Sequence, residues 1–281
     1  MTARREIHGI SLVEVLVALA LGLALTLGVV TLHARVLQLS VESQRAADAQ
    51  DTLRIALAVL EYDLAHAGYW GLVPRADRIA GRRSDAVPLA VTVIGDCGPA
   101  WTIDLERTVE AWTSGWPLAC GPYGGVLPSG AGLVLRRVDT RAAAPDAGVL
   151  QVHADPWAGR LVADGAPAAL GAEVHDLVAR AYYVSPRSTG DPQRPSLRRK
   201  TLQRGPRLVD EEIVTGVAAM EIAFGVDTDA PGTPGHGQPN HFVAPETASG
   251  PVVAVRVRLE ADDPARFTVT RSIPLRNGPA P

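Results

Sequence analysis

The stretch Ile10-Ser-Leu-Val-Glu14-Val-Leu-Val-Ala-Leu-Ala20-Leu-Gly-Leu-Ala24-Leu-Thr-Leu-Gly28-Val-Val-Thr-Leu32 decides how this chain is built. It holds 23 residues and one charge, Glu14. A bilayer core takes about 20 such residues as a helix, so residues 10–32 predict one membrane-spanning helix. Arg4 and Arg5 precede it. By the positive-inside tendency they hold the N-terminus in the cytoplasm and send the bulk across. An ordinary secretory signal fits less well: its shorter apolar region ends in a small-residue cleavage site, and here the apolar block runs on into a helical pattern.

Outward from that block, the chain stays free of proline until Pro74. The pattern turns polar after Leu32, then brings apolar residues at Leu53, Leu57, Leu60 and Leu64, a helical stripe. Gly68 is a suitable terminator. The expectation is one helix over residues 10–67, about 85 Å long at about 1.5 Å per residue. Its second half lays the leucine stripe on a folded domain. Ala20, Ala24 and Gly28 fall four apart, a spacing of small residues that lets helices approach closely.

Glu14 is the sharp feature. A lone carboxylate in lipid costs about 2.5 kcal/mol or more, so an intramembrane acid marks a function. A cut after Gly9 would free an amine at Ile10, one turn from Glu14. The carboxylate could then neutralise its own amine or a neighbour's, and it suits a helix N-terminus.

Gly9-Ile10-Ser11-Leu12-Val13-Glu14 resembles the prepilin peptidase site of type IV pilins and type II secretion pseudopilins. The resemblance implies cleavage after Gly9, methylation of the new terminus at Ile10, and a filament-docking role for Glu14. The family's usual phenylalanine is isoleucine here. Further on, Tyr182-Tyr183-Val184, Pro195-Ser-Leu197-Arg198-Arg199, Ile213-Val214-Thr215-Gly216-Val217, Met220 with Phe224-Gly225-Val226-Asp227-Thr228-Asp229, and Ile273-Pro-Leu275-Arg276-Asn277 resemble PilW-type minor pilins. That resemblance implies a minor component of a type IV pilus which primes assembly or caps the filament. Its partners would be the prepilin peptidase, other minor pilins and the major pilin. It would sit in the inner membrane with a periplasmic C-terminal domain and move into the pilus on assembly. A type II secretion pseudopilin of the J type is the near alternative, and a membrane-tethered periplasmic enzyme or binding module the distant one.

The expected organisation is a leader at 1–9, a spanning or filament-core helix at 10–32, its amphipathic continuation at 33–67, and an exported β-rich domain at 68–281. Eight strands are expected: Leu89–Ile94, Gly132–Val138, Gly148–His153, Val178–Val184, Ser196–Leu202, Met220–Val226, Val252–Glu260 and Phe267–Leu275. Short runs punctuated by Gly and Pro favour an antiparallel sheet, so the fold class is α+β. Pro186–Pro195 and Asp227–Ser249 read as loops.

Chemistry is sparse. Net charge is -3, which pulls toward neither nucleic acid nor anionic lipid. Cys97 and Cys120 are the only cysteines. They are two buried thiols, or a disulfide if the domain is exported. They lack zinc or redox spacing. His236 and His241 sit in a Gly/Pro loop without a third ligand. Asp227 and Asp229 read as turn residues rather than a calcium loop. The cluster Arg194, Arg198, Arg199, Lys200, Arg204 and Arg207, followed by Asp210-Glu-Glu212, reads as a solvated face. Trp101, Trp112 and Trp116 lie inside the cysteine loop, under it or on a contact surface. No catalytic, metal or cofactor motif is present, so no enzymatic activity is expected.

Overall fold

The structure is a computed structural model that describes residues 11–125, 127 and 130–277. Gly9 and Ile10 lie outside the described residues. The chain forms two compact units, residues 1–48 and 49–281.

A single helix, α1, runs over Leu12–Ala65, 54 residues without a break. Ser11 begins it: its Oγ accepts from Val13 N at 3.3 Å, the bond of an N-cap serine. Gly68 follows its end at φ +74°. A Cβ there would run into the Asn277 carbonyl and the Thr108 methyl, so only glycine fits the turn that leads the chain away.

The globular unit holds two sheets. The first contains β1 (Ile79–Ala80), β2 (Val109–Trp112), β3 (Gly132–Val138), β4 (Ala147–Ala154), β5 (Gly159–Asp164), β6 (Glu173–Ser185), β7 (Ser196–Gln203) and β8 (Arg207–Thr215). The second contains β9 (Val217–Val226), β10 (His241–Val243), β11 (Val252–Ala261) and β12 (Thr268–Pro274), in the order β10-β9-β11-β12. Every pairing is antiparallel except β1 with β5. The α+β class therefore holds. The 13-residue β6 organises the first sheet: β4 and then β7 pair along one side, and β3 along the other.

The helix end inside this unit packs between the sheets. Leu53, Ala56, Leu60 and Leu64 are buried against Leu133, Leu135, Tyr182 and Leu197 of the first sheet and Met220, Val255, Val257 and Leu259 of the second. Each fully buried leucine contributes about 2 kcal/mol. Leu57, expected in this stripe, is only half-buried, and Ala56 takes its place.

Several expectations change. Leu89–Ile94 is not a strand; its alternation is real, but it is held only at isolated points, Leu89 N to Gly81 O and Ile94 to the loop at Pro206. Asp227–Ser249 is not loop throughout, since His241–Val243 pairs with Val226–Phe224 as β10. Five strands were not anticipated: β1, β2, β5, β8 and β10. Trp101 and Trp112 lie buried beside Cys97, with Trp116 half-buried against them. These tryptophans pack under the loop and do not form a surface. Trp112 lies on Gly132, where any Cβ would overlap the indole.

Candidate functional site

The first unit carries the candidate assembly element. Ser11, Leu12, Val13 and Glu14 have the Ser-x-x-Glu order of a capping box, with Glu14 at the third helical position. Among the described residues, only the serine half of that box is bonded, and the Glu14 carboxylate has no partner. It stands exposed at the helix N-terminus, where the macrodipole favours an anion. Beyond it the side chains from Val15 to Leu32 are all exposed, including Leu16, Leu19, Leu23 and Leu27. The helix is long and apolar enough to cross a membrane, with mean hydropathy 2.6 over its most apolar window. The two hydroxyls of its apolar segment, residues 15–32, are satisfied within the helix: Thr26 Oγ1 donates to Leu23 O and Thr31 Oγ1 to Gly28 O, each at 2.9 Å. Such bonding suits a helix surrounded by apolar matter. A side chain added at Gly22 or Gly28 would meet open space, so neither glycine is demanded by packing inside this chain.

The second unit grips the C-terminal end of the helix through a charge cluster that the sequence did not announce. Asp63 is fully buried. Its carboxylate accepts from Arg137 Nη2 at 2.9 Å, from Arg180 Nη1 at 2.6 Å and from the Tyr182 hydroxyl. Arg137 is also buried and gives a second hydrogen bond to Val138 O at 2.9 Å. Burial alone would push the Asp63 carboxyl up. The Arg180 guanidinium, the Tyr182 hydroxyl and Arg137 outweigh it and hold the carboxyl below the usual range. Burial, and then the Asp63 charge, push the Tyr182 phenol up.

Of the basic cluster read as a solvated face, Arg194, Arg204 and Arg207 are exposed, whereas Arg198, Arg199 and Lys200 form a cross-strand ladder instead. β7 pairs Arg198 with Glu212, Arg199 with Glu211 and Lys200 with Asp210 of β8. Arg198 is buried, donates to Asp210 Oδ1 at 2.7 Å and Glu212 Oε2 at 2.8 Å, and stacks on Tyr123 at 3.9 Å. Opposite charges placed directly across two strands stabilise a sheet by up to about 1 kcal/mol per pair. Burial would raise the Glu212 carboxyl, but bonds from Ser188, Thr215 and Thr189 win and lower it from 4.5 to about 2. A carboxyl depressed on folding contributes stability that is complete above its unfolded value and is lost as pH falls toward the folded one. Urea midpoints measured from pH 6 down to pH 2 should therefore fall through the window 4.5 to 2. Glu212→Gln should flatten part of that fall.

Cys97 and Cys120 form a disulfide, 23 residues apart in sequence. The loop they close holds Trp116, whose Nε1 donates to Cys120 O at 2.6 Å. Closing a loop of that size is worth about 3 kcal/mol in the chain-entropy account. Cys97→Ala with Cys120→Ala should lower the unfolding free energy by about that amount, readable in a urea titration.

Asp227 and Asp229 meet in a turn: Asp227 accepts from Asp229 N at 2.9 Å and Gly237 N at 2.6 Å, and Asp229 accepts from Asn240 Nδ2 at 3.0 Å. These local bonds occupy the carboxylates. Nδ1 of His236 lies 3.1 Å from Asp227, while His241 stands on β10. Among the described residues, no group of three or more His, Cys, Asp and Glu side chains could hold a metal.

Residues 181–276 match the model of the family described as PilW, Type IV Pilus-assembly protein W. No curated protein and no solved structure matches the chain. The matched span starts within β6, takes in β7 and β8 with the charge ladder, and runs through the whole second sheet. It includes Tyr182, which bonds Asp63, and the Tyr-Tyr, Phe-Gly-Val-Asp and Ile-Pro-Leu-Arg elements that suggested this family in the sequence. Over residues 181–276, about a third of its length, the chain is similar to the PilW pattern of type IV pilus-assembly proteins.

Proposed function

We propose that this chain is a minor pilin: a structural subunit, without enzymatic activity, that is processed by a prepilin peptidase after Gly9 and enters a type IV pilus through its N-terminal helix. The observation that carries the proposal is the exposed apolar segment 15–32 of α1 behind one carboxylate, Glu14, that has no partner among the described residues, in a chain whose C-terminal part matches a pilus-assembly family. In this account Ile10 becomes the methylated N-terminus, and Glu14 meets the terminal amine of an adjacent subunit. The inner membrane holds the helix before assembly, and the globular unit lies in the periplasm, where the Cys97–Cys120 disulfide is stable. Other minor pilins and the major pilin are the partners. The subunit primes filament growth or caps the filament.

Deleting the gene tests this. Surface pili counted by electron microscopy should fall sharply and return when the full chain is supplied. Unchanged piliation with a loss of protein secretion would move the chain to the type II secretion pseudopilins.

A further inference from the structure

β2 and β3 pair directly, yet the connection between them runs over residues 113–131. A hairpin needs only about 2–5 residues there. Among the described residues of this connection, none is helix or strand. Such a segment is held by what it touches. Residues 119–124 lie as a strap across β6 and β7. The strap is tied covalently at one end, by Cys120 to Cys97, and Ala119 N donates to Cys97 O at 3.0 Å. Past the tie its grip is polar. Gly121 O accepts from Lys200 Nζ at 2.6 Å. Tyr123 N donates to the Tyr183 hydroxyl at 2.8 Å, and Tyr123 O accepts from Ser185 Oγ at 2.9 Å. The Tyr123 ring covers the Arg198 guanidinium. Gly124 sits at φ +68°, and a Cβ there would meet Ser185 Oγ at 2.8 Å, so the strap lies directly on the end of β6.

Beneath the strap lie groups that water would otherwise reach. Tyr183, Ser185 and Arg198 are buried, and the Lys200 side chain is only 12% exposed. The strap itself is exposed at Gly121, Tyr123, Gly124 and Gly125, so it buries little apolar surface of its own. A few hydrogen bonds at an exposed segment hold it only weakly. The tie at Cys120 keeps them made, because it removes much of the strap's freedom to leave. The core between the two sheets, by contrast, is built without either cysteine.

We propose that the Cys97–Cys120 bond is the catch of a redox-operated strap. Closed, the strap seals the charge cluster of β7 and β8. Opened by a dithiol, it lifts and presents Arg198, Lys200 and Asp210 to solvent while the two sheets stay folded. Cys97 is buried and Cys120 half-buried, so a thiolate of the dithiol attacks Sγ of Cys120 and Cys97 leaves as a thiolate. The second thiol of the reductant then displaces Cys120 from the mixed disulfide. The reductant ends as a cyclic disulfide. The two cysteines end as thiols, having taken up two electrons and two protons. The device lies wholly in the globular unit, so its test stands whether or not Gly9 is the cleavage site and Glu14 acts as proposed above.

Lys200 is the only lysine in the chain, which makes the position of the strap chemically readable. The full chain in detergent micelles is acetylated with an N-hydroxysuccinimide ester, before and after reduction by dithiothreitol and capping of the thiols with iodoacetamide. Peptide mass mapping reads Lys200 apart from the terminal amine. Reduction should raise the Lys200 rate about tenfold and speed amide exchange at Tyr123 by a similar factor, while a cooperative thermal transition remains. Gly124→Ala pushes the strap off Ser185 with the disulfide intact, and should raise the Lys200 rate in the oxidised chain. A Lys200 rate that neither reduction nor Gly124→Ala changes would overturn the proposal. So would an oxidised chain whose Lys200 already reacts as fast as in urea. Loss of the cooperative transition on reduction would overturn it too, because the bond would then staple the whole unit rather than hold a strap.

Discussion

Asp63→Ala should destabilise the globular unit by about 3–5 kcal/mol, the usual cost of removing one partner from a buried ion pair. The substitution leaves Arg137, only 2% exposed, and the half-buried Arg180 without their shared carboxylate. It also strands the buried Tyr182 hydroxyl. For a unit of this size a loss of that order lowers Tm by about 10 °C. The cost lies in the uncompensated charges, not in a lost attraction. Replacing Asp63, Arg137 and Arg180 together by leucine or methionine should therefore recover most of the stability. Thermal melts of the single and triple variants separate the two effects. A single variant as stable as the parent would mean that Asp63 does not hold the helix end in place. The same cluster sets a pH dependence. The Asp63 carboxyl is held low in the folded state, so its contribution is complete above its unfolded value, about 3.9, and is lost as pH falls below it.

Glu14→Ala should leave the chain in the membrane and cut its entry into filaments at least about tenfold. Two roles for the carboxylate predict opposite things. In a plain anchor the charge is a burden of about 2.5–3.5 kcal/mol, and alanine would insert as well or better. In an assembly element the charge is retained because it pairs with a terminal amine in an apolar surrounding. Losing a pair worth even 1.4 kcal/mol shifts an equilibrium tenfold. Immunoblots of sheared filaments against the membrane fraction read both quantities. Unchanged membrane level with depleted filaments supports docking. Equal incorporation removes Glu14 from the mechanism.

Much of this architecture was legible in the sequence because it is periodic. The proline-free run to Pro74 gave the helix, and the alternation in Val252–Glu260 gave β11. What stayed hidden depends on residues far apart in the chain. Asp63 looked like one polar residue in a helical stripe; its partners lie 74 to 119 positions away. β8 was missed because Asp210-Glu211-Glu212 reads as a solvated charge run until Arg198-Arg199-Lys200 is placed opposite it. Leu89–Ile94 erred the other way, with strand-like alternation but only a single bridge, Ile94 to Arg207 of β8. Of the candidate site, Ser11 and Glu14 were visible as part of a motif, whereas the serine's capping role emerged only with the helix start at Leu12.

The account turns on the N-terminal device, and the mature N-terminus tests it most directly. Intact-mass and N-terminal peptide measurements on the chain purified from its native membrane should show a protein that begins at Ile10 and is one methyl group heavier than the bare sequence. A chain that retains residues 1–9, or is cut elsewhere than after Gly9, would contradict it.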